Sequence, residues 1–437
     1  MTQQKTAELS FRDLGLAPKL LAILQVKKFI IPTPIQHQCI PHALAGKDIV
    51  GIAQTGTGKT LAFGLPILQR LAMHQHGASQ IQTKGQALIL VPTRELALQA
   101  DGMMHKIGFS IGLKTAVIIG GASSYAQIKS LSRNPHIVIA TPGRLIDHIS
   151  QNKYSLKNVN HIVLDEADRM FDIGFLPDIK RILELAPSQR QTLLFSATMP
   201  SAIAQIASKF MKMPLRIEVA PSGTPAEGVE QEIFIVDKQT KLRLLEKILS
   251  ESNGTSLVFS RTKHGAKKIA SIVRAMGHSS AEIHSNRSLA QRKDAMSGFK
   301  CGKYRVLVAT DIASRGIDVS DIGMVINYDL PENSEDYVHR IGRTGRAGMS
   351  GKAISFATPD QRRDIKQIER LIKKTIPILS LPNLAQSSDA VMRALYVDDR
   401  PDRPGRDMVR RFRGARSSVG FGSRRSSFSR PRRQVGR

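Results

Sequence analysis

The sequence predicts an α/β protein built from two domains, each a mostly parallel sheet flanked by helices, followed by a disordered basic C-terminal tail. Three observations carry that expectation. Short β-branched or apolar runs alternate with helical patterns along most of the 437 residues, which is the rhythm of βαβ units. The rhythm stops once, in a stretch poor in large apolar residues, and restarts. Finally, the last 38 residues change to Arg, Ser and Gly.

The first domain spans residues 1–219. Its strands are expected in DIVGIA, QALILVP, KTAVIIGG, PHIVIATP, HIVLDEAD and QTLLFSAT, each a short apolar run between helical patterns. Residues 220–231, APSGTPAEGVEQ, carry two prolines and two glycines and read as a linker. The second domain, 232–375, repeats the pattern with EIFIVD, GTSLVFS, SSAEIHS, YRVLVATD, GMVINYDLP and GKAISFATP. Past Thr375 the alternation fades into an extension, 376–399. Residues 400–437 hold thirteen Arg against Asp402 and Asp407, with isolated Phe412, Phe421 and Phe428. Such a segment cannot bury enough apolar surface to offset its chain entropy, so disorder is expected. Arg with interspersed aromatics suits phosphate pairing and base stacking, which points to RNA contact rather than to a merely solubilising tail.

Composition narrows the function classes. Lys and Arg number 64 and Asp and Glu 36, a formal charge of +28, so a polyanion is the expected partner. No apolar run approaches the roughly 18 residues of a membrane span, and MTQQKTAELSFRD has no apolar leader core. A soluble, cytoplasmic protein is expected. Only Cys39 and Cys301 occur, with no C-x-x-C pair and no His at ligand spacing, which sets aside disulfide scaffolds and structural zinc.

Three motifs carry chemistry. Ala53-Gln54-Thr55-Gly56-Thr57-Gly58-Lys59-Thr60 follows a strand and opens a helical pattern, the context a phosphate-binding loop requires. Its glycines let backbone N–H groups turn toward a β-phosphate, Lys59 supplies a point charge, and the Thr60 hydroxyl can ligate Mg²⁺. His161-Ile162-Val163-Leu164 empties into Asp165-Glu166-Ala167-Asp168 at the carboxyl end of a parallel strand, where ligands of such sheets bind. There Asp165 would hold Mg²⁺ and Glu166 would orient or deprotonate the attacking water; an acidic helix cap is the plain alternative. Tyr337 to Arg346, YVHRIGRTGR, has three Arg spaced by three. Of these, Arg343 and Arg346 are candidate fingers for the γ-phosphate, against the plain reading of a solvated basic face.

Further motifs give the chain a family likeness. Pro32-Thr33-Pro34-Ile35-Gln36, Pro92-Thr93-Arg94-Glu95-Leu96-Ala97, Gly120-Gly121, Thr141-Pro142-Gly143-Arg144 and Ser196-Ala197-Thr198 precede the linker. Val258-Phe259-Ser260-Arg261-Thr262 and Ala309-Thr310-Asp311 running on to Asp318 follow it. In this order the motifs resemble a DEAD-box ATP-dependent RNA helicase of superfamily 2, most similar to the bacterial RhlE type, over about Phe11 to Thr375.

The resemblance implies two RecA-like domains, ATP and Mg²⁺ as cofactors, and roles for single residues. Gln36 would read adenine, since a carboxamide pairs with N6 and N7 at once. Phe29 would stack on the base, with Phe11, 17 positions before Lys28, as a supporting aromatic or a core residue. Ser196 and Thr198 would hydrogen-bond Asp168, Asp318 would meet the ribose, and His339 would bridge back to the first domain. Arg94, Gly121, Thr141 and Arg144, with Arg261, Arg292 and Thr310, would form a single-strand RNA track that contacts backbone and 2′-OH and is blind to base identity. ATP and RNA would draw together two domains that a flexible linker leaves free to separate, so that each ligand favours the other. Hydrolysis would then reset the clamp after local strand separation, with ribosome assembly or RNA decay as the setting, ribosomal precursors or decay factors as partners, and a core that acts as a monomer.

The chain departs from the family pattern at three places. Lys28 stands where a Gly is usual, Ser285 follows His284 where Gly is usual, and Leu289 occupies the place of a Gln. Lys28 is harmless if its φ is negative. Leu289 removes a polar side chain that would contact RNA or support Arg292, with Gln291 open as a substitute, and together with Ser285 it keeps open a second reading, an ATP-gated RNA clamp or annealing factor with little unwinding.

Overall fold

The computed structural model describes residues 10–54, 56–76, 86–219, 228–311, 322–345, 350–385 and 391. The first sheet contains β1 (Ile49–Ile52), β2 (Gln86–Leu90), β3 (Thr115–Ile118), β4 (Ile137–Ala140), β5 (Val159–Leu164), β6 (Gln191–Ser196) and β7 (Leu215–Glu218). Their order is β3-β4-β2-β5-β6-β1-β7, and the pairings are parallel. The second sheet contains β8 (Val229–Ile235), β9 (Ser256–Phe259), β10 (Ser280–Ile283), β11 (Val306–Ala309), β12 (Met324–Asn327), β13 (Gly351–Ala357) and β14 (Ile378–Leu379). Its order, β10-β11-β9-β12-β13-β8-β14, is also parallel. Parallel neighbours need crossover connections, which here are the helices that cover both faces.

Strand periodicity explains the core. In β1, Ile49 enters one apolar cluster with Phe63, Ile89 and Phe195, while Val50 and Ile52 enter the opposite one with Leu88, Leu90 and Leu194. Successive side chains face opposite ways, so a sheet buried on both sides reads as a continuous apolar run. The second sheet repeats this, with Val258 and Ile326 on one face and Leu257, Phe259 and Val325 on the other.

All twelve expected strands are present. The two further ones, β7 and β14, lie at sheet edges where a strand needs little apolar surface. Only Ile217 is buried in β7, and both residues of β14 are exposed. The second sheet also starts earlier than composition suggests. Because β8 begins at Val229, residues 229–231 of the segment read as a linker are strand. Gln231 disguises it: this polar residue points inward, where its Oε1 accepts a hydrogen bond from the Tyr337 hydroxyl (3.0 Å). The extension after Thr375 continues the second lobe, for β14 pairs with β8 and Val391 is buried against Leu242 and Ile272. The tail 400–437 and residues 220–227 lie outside the described residues. Among the described residues no helix is long and apolar enough to cross a membrane.

Candidate functional site

The strand order sorts the candidate residues into two groups. Both groups follow the carboxyl ends of strands, where open parallel sheets bind ligands. One group follows β5, β6 and β1, three neighbours in the first sheet: Asp165 to Asp168, Ser196 to Thr198, and the loop from Ala53 to Thr60. The other follows β3, β4 and β2: Gly121, Thr141 with Arg144, and Arg94. In the second sheet Thr310, Arg261 and Arg292 follow β11, β9 and β10, which are again adjacent.

The loop after β1 depends on glycine. Gly56 and Gly58 have φ of +90° and +88°, and a Cβ on Gly58 would lie 2.3 Å from Gln36 Nε2. Gln36 occupies that space: its Nε2 donates to the Gly58 carbonyl (3.0 Å), and its Oε1 accepts from the Thr33 N–H (3.0 Å) as part of a capping box. Thus Gln36 joins the loop to its own helix, and each end of the carboxamide keeps one further hydrogen-bonding position for a base. Lys59 opens the helix Lys59–His76, and its Nζ donates to the Ala53 carbonyl (3.1 Å), bringing the loop's ends together. The Thr57 hydroxyl donates to the Gln54 carbonyl (2.8 Å). Thr60 is half-buried beside Lys59; Thr55 lies outside the described residues.

The acidic cluster is buried. Burial pushes the Asp165 carboxyl up to about 6; Lys59 pulls it back, while Glu166 and Asp168 add to the rise. The Glu166 N–H donates to Asp165 Oδ1 (3.0 Å). Glu166 itself sits at φ +52°, in the left-handed region, a strain of about 1–2 kcal/mol for a residue with a Cβ. A buried carboxylate that Lys59 reaches electrostatically, and a hydroxyl next to Lys59 at the helix start, are oxygen donors of the kind a hard cation takes, so Asp165 and Thr60 fit Mg²⁺ by their chemistry.

Asp168 is fully engaged. Its Oδ2 accepts from the Ala197 N–H (3.1 Å), the Thr198 N–H (2.8 Å) and the Thr198 hydroxyl (3.0 Å). Ser196 meets Asp168 as expected, through the backbone: its Oγ accepts from the Asp168 N–H (3.1 Å), while the hydroxyl that reaches the carboxylate is that of Thr198. Its position at the end of β6 puts it beside the backbone of Asp168.

Phe11 is buried in the first core and Phe29 packs against the same cluster half-buried; together with Arg12 and Lys28 they line a cavity of about 650 Å³. Lys28 has φ +60°, so the position where the family uses Gly is left-handed here, and the lysine carries strain that a negative φ would have spared it.

In the second lobe the helix Ser334–Ile341 carries His339, half-buried, and leads to Arg343, which is 5% exposed. Arg340 anchors it. Its guanidinium forks onto Asp311 (2.6 and 2.7 Å), donates to the Asp329 carbonyl (2.6 Å) and lies 4.9 Å from the Phe259 ring centre. Arg346 and Asp318 lie outside the described residues.

In the second group, Arg94 lies against the glycines after β3: a Cβ on Gly121, whose φ is +76°, would come within 2.5 Å of its guanidinium. Thr141 stands at the N-cap position of the helix Pro142–Ser150 with no side-chain capping hydrogen bond, and Arg144 Nη2 donates to the Ala122 carbonyl (3.5 Å). Across the lobes, Arg261 is exposed beside Glu332 (4.0 Å) and Thr310 is half-buried. Arg292 is buried instead, with its Nε on Glu95 of the first lobe (2.7 Å). Leu289, one turn earlier on the same helix, packs against the first lobe's core. Gln291 does not replace the missing polar side chain: its Oε1 accepts from the Ser288 N–H (3.0 Å) in a capping box.

A second contact between the lobes joins Arg169 and Asp336. Of the four residues in these two contacts, Arg292 alone was among the expected site residues, and it was expected on RNA rather than on Glu95. Their partners stand 167 and 197 residues apart, and no local spacing signals such pairs.

The sequence profile of the DEAD/DEAH box helicase family matches residues 33–206, and that of the helicase conserved C-terminal domain matches residues 240–348. The chain is 42% identical over 397 residues to the ATP-dependent rRNA helicase RRP3 of Debaryomyces hansenii, covering 90% of this chain and 81% of that one. It is 41% identical over 387 residues to the DEAD-box ATP-dependent RNA helicase CshA of Bacillus cereus, covering 88% and 72%. Among solved structures, Dbp5 of S. cerevisiae bound to RNA and ADP BeF3 matches with TM-score 0.75 and 29% identity, over 88% of this chain and 99% of that one. Mss116p bound to ssRNA and AMP-PNP matches with TM-score 0.79 and 28% identity, over 90% and 84%. Two seven-stranded parallel sheets in tandem, the loop and acidic cluster set side by side, and relatives at this identity over nine-tenths of the sequence lead to one conclusion: the chain belongs to the DEAD/DEAH box helicase family.

Proposed function

We propose that this chain is an RNA-dependent ATPase that uses ATP to open short RNA duplexes locally. The observation that carries the reading is the strand order, which puts the glycine loop and acidic cluster after three neighbouring strands of the first sheet and Gly121, Thr141, Arg144 and Arg94 after another three, an arrangement that supports separate nucleotide and RNA sites. Lys59 and the loop N–H groups hold the β- and γ-phosphates, Gln36 and Phe29 take the base, and Glu166 orients the attacking water. Asp165 and Thr60 hold Mg²⁺, which when bound neutralises phosphate charge. Arg343 and Arg346 meet the γ-phosphate from the second lobe, and Asp318 meets the ribose. Arg94, Gly121, Thr141, Arg144, Arg261 and Thr310 contact the RNA backbone, and Arg292 sets the spacing of the lobes along it. Asp168, Thr198 and His339 pass nucleotide state to lobe contact. The finer settings, a RhlE-type enzyme of the cytoplasm acting in ribosome assembly or RNA decay, rest on the motif set and on relatives named for rRNA.

The test is strand release from a short RNA duplex, with ATP and with a non-hydrolysable analogue. Release that needs a nucleotide triphosphate, with ATP hydrolysis stimulated by RNA, supports the reading; an ATPase indifferent to polyribonucleotide overturns it.

Leu289 favours a second reading, the ATP-gated clamp, because an apolar contact between the lobes prolongs closure. RNA-stimulated hydrolysis without strand release would select it. Leu289→Gln should shorten the lifetime of the RNA complex formed with a non-hydrolysable analogue roughly tenfold, read by competition with unlabelled RNA; an unchanged lifetime would show that the leucine contact adds nothing to closure.

Two further outcomes are expected. With its carboxyl raised to about 6, Asp165 is increasingly protonated, and a poorer cation ligand, as pH falls below that value. Affinity for Mg²⁺-nucleotide should therefore fall by up to about tenfold per pH unit as pH drops from 6 to 5, a dependence that Asp165→Asn should lack. Deleting residues 400–437 should weaken RNA binding and flatten its salt dependence. If about six of the thirteen Arg neutralise phosphates, the log–log slope on single strands falls by about four; an unchanged slope leaves the tail a solubilising role.

A further inference from the structure

The Arg169–Asp336 pair joins the two lobes at a mechanically privileged place. Arg169 directly follows Asp168 on the short helix Ala167–Asp172 that begins after the acidic cluster, and Asp336 lies in the first turn of the helix Ser334–Ile341 that leads to Arg343. Both side chains are nearly buried, 4% and 11% exposed. Burial alone would lower the Arg169 pKa, but Asp336 and then Asp168, Glu166 and Asp172 outweigh it, so the guanidinium stays charged at any working pH. Asp336 is the only one of those four carboxylates contributed by the second lobe. The helix bearing it is rigidly held, by the Arg340 fork on Asp311 and by the Tyr337 hydroxyl on Gln231. A pull on Asp336 therefore moves the start of the Arg343 segment as a unit.

We propose that Asp336 is a positioning residue: its pairing with Arg169 couples lobe closure to the seating of Arg343 and adds to the cooperativity between ATP and RNA. The inference rests on the reading of the chain as an RNA-dependent ATPase. With the lobes apart, both groups return to water and Arg169 keeps Asp172, to which its Nη1 donates (3.1 Å). The pair thus contributes only when the lobes meet, and a contact made in one state alone shifts every ligand equilibrium linked to that state.

Asp336 is the better residue to change, because loss of Arg169 would also remove a cation that attracts Glu166 and Asp168. Asp336→Asn keeps shape and removes the charge. At saturating ATP it should raise the RNA concentration that half-saturates hydrolysis roughly tenfold, with kcat at saturating RNA within about threefold. Nucleotide affinity without RNA and the melting temperature should not move. Asp336→Glu should recover most of the loss. Glu335→Gln removes an exposed carboxylate from the same helical turn and should leave the RNA requirement unchanged.

An Asp336→Asn protein with the parent's RNA requirement overturns the proposal. Equal defects in Asp336→Asn and Glu335→Gln, or a defect accompanied by weaker RNA-free nucleotide binding, would assign the effect to the helix itself and overturn it too. A parent protein with no RNA-stimulated hydrolysis would instead refute the functional reading beneath it, so the two failures are distinguishable.

Discussion

Arg343→Ala should lower RNA-stimulated ATP turnover by a factor of about 10³ or more while nucleotide affinity changes by less than about tenfold. Charge on the γ-phosphate oxygens grows only as its bond breaks, so a guanidinium aimed there strengthens its contact in the transition state rather than in the bound ground state. The geometry supports a fixed donor. Arg343 follows a helix whose last turn is locked by Arg340, its own N–H donates to the Arg340 carbonyl (3.1 Å), and it is buried. Arg343→Lys should rescue little, because an ammonium cannot reproduce the planar fork. Single-turnover hydrolysis at saturating RNA separates chemistry from closure. A drop of only a few-fold would move the finger elsewhere in the segment, with Arg346 the next to change.

Lys59→Ala and Glu166→Gln should both abolish turnover but differ in binding. Lys59 is a buried cation whose Nζ already reaches the Ala53 carbonyl, and in the proposed role its point charge would act on the phosphates before and during reaction. Its loss should weaken Mg²⁺-ATP binding at least tenfold as well as stop hydrolysis, by about 10³-fold or more. Glu166→Gln keeps shape and the left-handed backbone but removes a base and water-orienting carboxylate, so ATP should still bind and RNA should be held longer. Fluorescent-nucleotide titration beside steady-state hydrolysis reads both. Equal loss of nucleotide in the two variants would contradict these roles.

The neighbourhood of Gln36 shows how far local sequence reasoning reaches. The Thr33–Gln36 spacing marks a capping box at a helix start, and the Gly58 position marks a loop; each is legible within a few residues. That the Gln36 amide fills the space a Cβ on Gly58 would need is not, because it joins segments 22 residues apart. Leu289 teaches the reverse. As a departure from the family pattern it suggests a lost RNA contact, whereas the fold turns it into an apolar contact between lobes. Two of the four edge strands, β7 and β14, escaped for a different reason: only Ile217 is buried in β7 and β14 is two exposed residues, so neither carries the apolar run that signals a strand.

The amino-acid sequence by itself determined twelve of the fourteen strands, the α/β class, the phosphate-loop and acidic motifs and the basic charge, because each depends on hydrophobic period or on residues adjacent along the chain. The tertiary structure alone decided what meets across the lobes: Arg169 with Asp336, Arg292 with Glu95, and Leu289 with a core formed by the other domain. The two ion pairs join side chains 167 and 197 residues apart, and no local periodicity encodes a pairing whose partners share only their final positions in space.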